Sequence, residues 1–245
     1  MRVVKAVVAY DGTSFRGWQV QANGVTVQAV LEKALHKIHG RPIKVTAASR
    51  TDSGVHAEGQ VVSFSSDSRL TDAKLQTALN FNLPATVVVA SLASLGSKAF
   101  HARFDAKGKL YRYRVYTGRS KPLFDRDRVL WLPHRLDVAA MRRAARLLTG
   151  RHDFTAFSTP DGRRGSKVRN LRSIVLRKAG PYLDIEVRAD GFLYNMVRVI
   201  VGTLLHVGFG KLKPADVRRI FASKDRRRAG PTADPKGLSL IKVYY

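Results

Sequence analysis

Asp52 lies in the polar stretch Arg50-Thr51-Asp52-Ser53-Gly54, between two apolar runs. An arginine two positions before a carboxylate favours its ionised form, which suits a nucleophile or base better than a proton donor. Ser53-Gly54 lets the backbone turn tightly and presents the carboxylate beside two strand ends. The competing role is an Asx-turn, in which the carboxylate only satisfies amides of its own loop. Arg198 is the second unusual residue. It interrupts the apolar run FLYNMVRVIVGTLL, where a guanidinium without a partner is costly. It must therefore reach solvent, an anionic ligand or an acid; Asp52 is one candidate and a local pair with Asp190 is the other. Tyr111 and Tyr113 share one face of a strand by the two-residue period, and Arg112 and Arg114 share the opposite face. One aromatic and one basic face suit single-stranded nucleic acid, by base stacking and phosphate pairing. Alternatively, the tyrosines are core and the arginines solvated.

The elements that must position these residues follow from hydrophobic periodicity. Residues 3–10 read as a strand. Val27, Val30, Leu31, Ala34, Leu35 and Ile38 form one helical face, with Thr26 as N-cap and Gly40 past the end. Residues 43–48 and 60–65 are strands around the Asp52 turn, 72–80 a short helix and 87–90 a strand. This β-α-β-β-α-β order suggests a ferredoxin-like, or RRM-like, half. The second half loosely repeats it. Strands are expected at 109–115, 168–177, 182–189 and 238–244, and helices at 138–149 (capped by Asp137), 192–206 and 215–222. The division is placed at 1–100 and 101–245, with a linker over 94–108.

Composition narrows the partner. The 245 residues include 44 Lys+Arg against 18 Asp+Glu, a net charge of +26, with 44% apolar residues. A core of ordinary size is expected, and a polyanion is the natural complement of such a surface. The excess is concentrated in residues 101–245, and RRGSKVRNLRSIVLRK (163–178) alone holds seven basic residues and no acid. Nucleic acid is the expected partner, and the salt dependence of binding should reflect it. There are no cysteines, which excludes disulfides, thiolate metal sites and a Cys nucleophile. The seven histidines show no metal-ligand spacing, and no phosphate or dinucleotide loop is present. We expect no metal and no cofactor. A signal peptide and a membrane-length apolar run are also missing, so a cytoplasmic, membrane-free protein is expected.

The segments AYDGTSFRGWQVQ, TVQAVLEKAL, SRTDSGVHAEGQVVSF, AFHARFDAKGKLYRYRV, FLYNMVRVIVGTLLHVG and GLSLIKV resemble, in order, the motifs of the tRNA pseudouridine synthase A (TruA) family. The likeness runs from residue 9 nearly to the last residue. Ser49 and Ser53 depart from it, standing where the family usually has Gly and Ala. A positive φ at Ser49 would be strained. The resemblance implies Asp52 as the catalytic aspartate, Arg50 as the side chain that enters the space of a flipped base, and Tyr111 as the ring stacked on the uracil. It further implies Arg198 as the partner of Asp52 and Leu238 as a wall of the uracil pocket. The implied fold is α+β: two halves whose antiparallel sheets join into one extended sheet, helices on one face and a central cleft. The implied protein is a homodimer that isomerises uridine at positions 38, 39 and 40 of the tRNA anticodon stem-loop, without metal or cofactor. The alternative from another class is a non-catalytic RNA-binding protein.

Overall fold

A computed structural model describes all residues except 97, 98, 163 and 164. The basic run at 163–178 therefore begins outside the described residues. The chain is mixed α+β and forms two compact units, Met1–Lys107 with Ser239–Tyr245, and Gly108–Leu238. The division expected at 100/101 falls at 107/108, and the last strand belongs with the first unit, because its backbone pairs there.

In the first unit, β1 (Arg2–Tyr10), α1 (Val27–His39), β2 (Thr46–Ala47), β3 (His56–Ser66), α2 (Asp72–Asn82) and β4 (Val87–Ser94) follow the expected order. β1 lies between β4 and β3, antiparallel to both. The closing strand β10 (Leu238–Tyr244) runs parallel to β3, with Ser239 opposite His56. Along β1 every second residue, Val4, Ala6, Val8 and Tyr10, is buried, the alternation of a strand with one face in the core. Thr26 caps α1 by accepting the Ala29 amide, as its sequence position predicts. The strand expected over 43–48 shrinks to β2. The Val45 amide instead donates to the Glu32 carboxylate and its carbonyl accepts from Gln28, so α1 side chains take the place of a strand partner.

The second unit contains β5 (Gly108–Tyr116), β6 (Leu130–Trp131), α3 (Val138–Leu148), β7 (Gly150–Asp153), β8 (Val168–Ala179), β9 (Tyr182–Ala189), α4 (Met196–Gly208) and α5 (Asp216–Ser223). The strand order is β5-β9-β8-β7, all antiparallel, with β6 parallel to β5. Asp137 caps α3 through the Ala140 amide at 2.8 Å. The register of β5 on β9 sets the surroundings of the Tyr and Arg faces. Tyr111, Tyr113 and Val115 lie opposite Val187, Ile185 and Leu183, all buried. Arg112 lies opposite Glu186 and Arg114 opposite Asp184, and Arg114 makes a two-pronged pair at 2.7 and 2.8 Å. Tyr113 and Val115 are thus core, Tyr111 keeps a small exposed fraction at the start of the same face, and the basic face carries cross-strand ion pairs. The expected start of α4 at 192 moves to Met196, because Asn195 adopts φ 58°, outside the helical region.

Candidate active site

The Asp52 loop joins β2 to β3 and is held from several directions within the first unit. At its start, the Ser49 amide donates to Gln60 Oε1 (3.2 Å) and Gln60 Nε2 donates back to the Ser49 carbonyl (2.7 Å). Ser49 avoids the strain considered above: among the described non-glycine residues, only Asn195 and Lys224 have positive φ. The Thr51 hydroxyl lies 2.7 Å from the Tyr10 hydroxyl, both residues being buried. Thr51 also accepts the Trp18 amide at 3.0 Å. Gly17 crosses directly over this point. Its φ is 84°, and a Cβ there would fall 2.8 Å from the Thr51 oxygen, so both conformation and space call for glycine.

The turn itself is closed by backbone. The Val55 amide donates to the Asp52 carbonyl (3.2 Å) across Gly54, whose φ of 75° matches the third position of a type II turn. The Gly54 amide, which an Asx-turn would direct to the Asp52 carboxylate, donates to the Phe15 carbonyl at 3.4 Å. Ser53 Oγ donates to the same carbonyl at 3.2 Å. The loop keeps its shape through the segment 12–18 and leaves the half-buried carboxylate of Asp52 at its corner. Arg50, two residues before it, is exposed.

The other expected site residues, Tyr111, Arg198 and Leu238, belong to the second unit. Tyr111 is only 6% exposed, and Phe192 meets its ring edge-on at 5.1 Å and 87°. Tyr113, the next aromatic on that face, is fully buried and donates to the Asp234 carbonyl at 2.8 Å. Burial pushes its phenol pKa strongly up, so it stays protonated. Arg198 lies in the first turn of α4. Its Nε donates to the Ala233 carbonyl (2.7 Å), and its Nη1 to Asn195 Oδ1 (3.0 Å). The Ala233 amide returns a bond to the Arg198 carbonyl at 3.1 Å. The guanidinium is therefore held by an amide oxygen and a backbone carbonyl on two sides. The local alternative, Asp190, instead accepts the Asn170 amide at 3.1 Å. Leu238 is buried where the segment 230–238 leads into β10.

Two contributors lie in segments that carry the family resemblance but receive no role in the sequence reading. Asn195 gives its side chain to Arg198 and, through Nδ2, to Thr159 Oγ1 (3.1 Å), instead of capping α4. Its position three residues before Arg198, at the head of the apolar run, was the available signal. The segment 12–18 is the second; its glycines and aromatics are conspicuous, but nothing local says that they lie over Thr51.

Similarity to known proteins gives the family. The sequence pattern of the tRNA pseudouridine synthase family matches residues 6–105 and 144–245. A tRNA pseudouridine synthase A from Geobacillus kaustophilus is 44% identical over 243 residues, covering 99% of this chain and 94% of that protein. One from Thermoanaerobacter sp. strain X514 is 44% identical over 245 residues and all of both chains. Clostridium perfringens has a tRNA pseudouridine synthase A 2 that is 41% identical, again over the whole of both. The chain belongs to the tRNA pseudouridine synthase family: it is an isomerase of the class that converts uridine in tRNA to pseudouridine.

Proposed function

We propose that this protein converts uridine to pseudouridine at positions 38, 39 and 40 of the tRNA anticodon stem-loop, with Asp52 as the catalytic aspartate. The observation that carries this is the build of the Asp52 loop: backbone and Ser53 bonds to Phe15 shape it and set the half-buried Asp52 beside the exposed Arg50. A rigidly held carboxylate costs little reorganisation when it reacts.

The reaction breaks the N1–C1′ bond, turns the uracil and forms a C5–C1′ bond. The proton lost from C5 is balanced by one gained at N1, so no atom enters or leaves. The target base lies in a stacked helix and must first be extruded, at a cost of a few kcal/mol. On this reading Arg50, exposed beside Asp52, fills the gap, Tyr111 stacks on the uracil and Leu238 walls its pocket. Arg198 is the cation that keeps Asp52 ionised. Asp52 then attacks the base or the sugar, or removes a ribose proton; Tyr111, directly or through water, takes the C5 proton. No redox or phosphoryl donor is required by this chemistry.

The large positive charge supports tRNA as the partner, through counterion release on phosphate pairing. We further propose a homodimer acting in the cytoplasm, on the family resemblance. No helix of the described residues is long and apolar enough to cross a membrane.

Release of tritium from tRNA labelled at uridine C5 tests the function directly. Wild type should release it without free uracil. Asp52→Asn should release none while binding tRNA within about threefold of wild type, since the phosphate contacts that dominate affinity are intact. Tight binding with no release by well-folded wild type would instead mark a non-catalytic RNA-binding protein. Free uracil would mark a glycosidase.

A further inference from the structure

His56 has no part in the chemistry proposed above, yet it is buried, 5% exposed, at the head of the strand that leaves the Asp52 loop. Its Nδ1 lies 3.0 Å from the Gly12 amide nitrogen. A backbone N–H can only donate, so Nδ1 must accept, and the ring proton of the neutral imidazole resides on Nε2. The Asp11 carboxylate, 3.3 Å from the same Nδ1, meets a lone pair there. That oxygen is held instead by the Thr13 amide (3.0 Å) and hydroxyl (2.5 Å).

Gly12 is in turn pressed against Val55, the last residue of the loop before β3. A Cβ on it would overlap the Val55 carbonyl oxygen. From Gly12 the contacts lead straight to the loop. The Phe15 amide donates to the Gly12 carbonyl at 3.0 Å, and the Phe15 carbonyl receives Ser53 Oγ and the Gly54 amide. Trp18 then donates to Thr51. The segment 12–18 thus straps the loop on both sides of Asp52, and His56 Nδ1 anchors the end of the strap.

We propose that His56 is a positioning residue for Asp52: its unprotonated Nδ1 fixes Gly12, which fixes the strap, which fixes the carboxylate. This rests on Asp52 being the catalytic aspartate.

The test measures C5 tritium release, tRNA binding and thermal unfolding for His56→Ala, His56→Asn and His56→Gln, with Asp52→Asn alongside. An asparagine amide oxygen can take the place of Nδ1, whereas glutamine places its amide nearer Nε2. His56→Ala should lower kcat by about 10²-fold, the cost of a misplaced reacting group, with KM and tRNA affinity within about twofold of wild type. His56→Asn should recover at least tenfold of that loss, and His56→Gln should not. Wild-type kcat in His56→Ala, a change in KM alone, or equal defects in the Asn and Gln variants would each overturn the proposal. Should His56→Ala fail to fold, the Asn–Gln comparison decides by itself. Activity retained in Asp52→Asn would sink the assignment of Asp52 instead, a result separable from those for His56.

Discussion

Arg198 and Ala233 bond each other twice: the guanidinium Nε donates to the Ala233 carbonyl at 2.7 Å, and the Ala233 amide donates to the Arg198 carbonyl at 3.1 Å. One residue of an irregular segment, Ala233, therefore fixes both the backbone and the head group of Arg198. With Asn195 taking Nη1 at 3.0 Å, two acceptors at set angles define the plane of the guanidinium. Lysine keeps the charge but offers no planar fork. Arg198→Lys should reduce turnover by about 10²-fold while changing tRNA affinity little, measured by single-turnover kinetics and filter binding.

Asn195 allows the orientation to be separated from the charge. It combines a positive φ of 58° with the acceptor for Arg198. Asn195→Gly tolerates the backbone but removes the acceptor, so the melting temperature should stay within a few degrees of wild type while kcat falls about tenfold. Asn195→Ala should lose the same activity and about 1 kcal/mol of stability besides, for placing a Cβ at positive φ. Equal stability of the two variants would show that the backbone at 195 relaxes.

Gly17→Ala tests the strap over Thr51 from its other end. The added Cβ faces a φ of 84° and an oxygen at 2.8 Å, both set by backbone. Neither can be relieved by rotating a side chain, so the loop must move or the strap must lift. The expected result is a stability loss of about 1–3 kcal/mol together with loss of C5 tritium release, compared with unchanged tRNA binding.

Acid sensitivity should trace in part to Asp72. Its carboxylate accepts Ser94 Oγ at 2.6 Å and the Ser94 amide at 2.8 Å, tying α2 to the end of β4. The Ser94 hydroxyl, then the Ser94 amide, hold its pKa below the ordinary value of 3.8; burial opposes them less strongly, and Arg2 adds a still smaller lowering. A folded-state pKa below the unfolded one contributes stability above the ordinary carboxylate range, and that stability is lost as pH falls through the lowered value. Urea unfolding between pH 5 and pH ~2.5 should therefore be less pH-dependent in Asp72→Asn than in wild type. The difference will be modest, because the group is partly exposed and screened.

What the sequence makes legible here is what local chemistry decides. Thr26 and Asp137 cap the helices they precede because a side-chain oxygen and an amide three residues on suffice. The alternation of Tyr111 and Tyr113 with Arg112 and Arg114 is likewise local, and the faces separate as expected. Which face is core is not local: it depends on Glu186 and Asp184 arriving opposite the arginines. The same limit applies to Arg198, whose acceptor carbonyl is 35 residues away. α4 starts at Met196 and not at 192, because Asn195 breaks the helix and holds the Arg198 side chain, a tertiary reason that periodicity does not carry. The Arg-Thr-Asp block itself was visible as chemistry, but the strap that shapes it was not.

The pairing of Ser239 and Leu240 with β3, which brings Ser239–Tyr245 into the first unit, also sets an order of assembly during translation. The first unit, with its Asp52 loop, lacks one strand until all of Gly108–Leu238 has been made. At ordinary elongation rates that delay is on the order of 10 s. Over that interval the edge of β3 beside His56 and Ala57 lacks its parallel neighbour, and the nascent chain must carry it exposed or chaperoned. A ribosome stalled before residue 239 would hold a chain with its aspartate already made and its sheet still open.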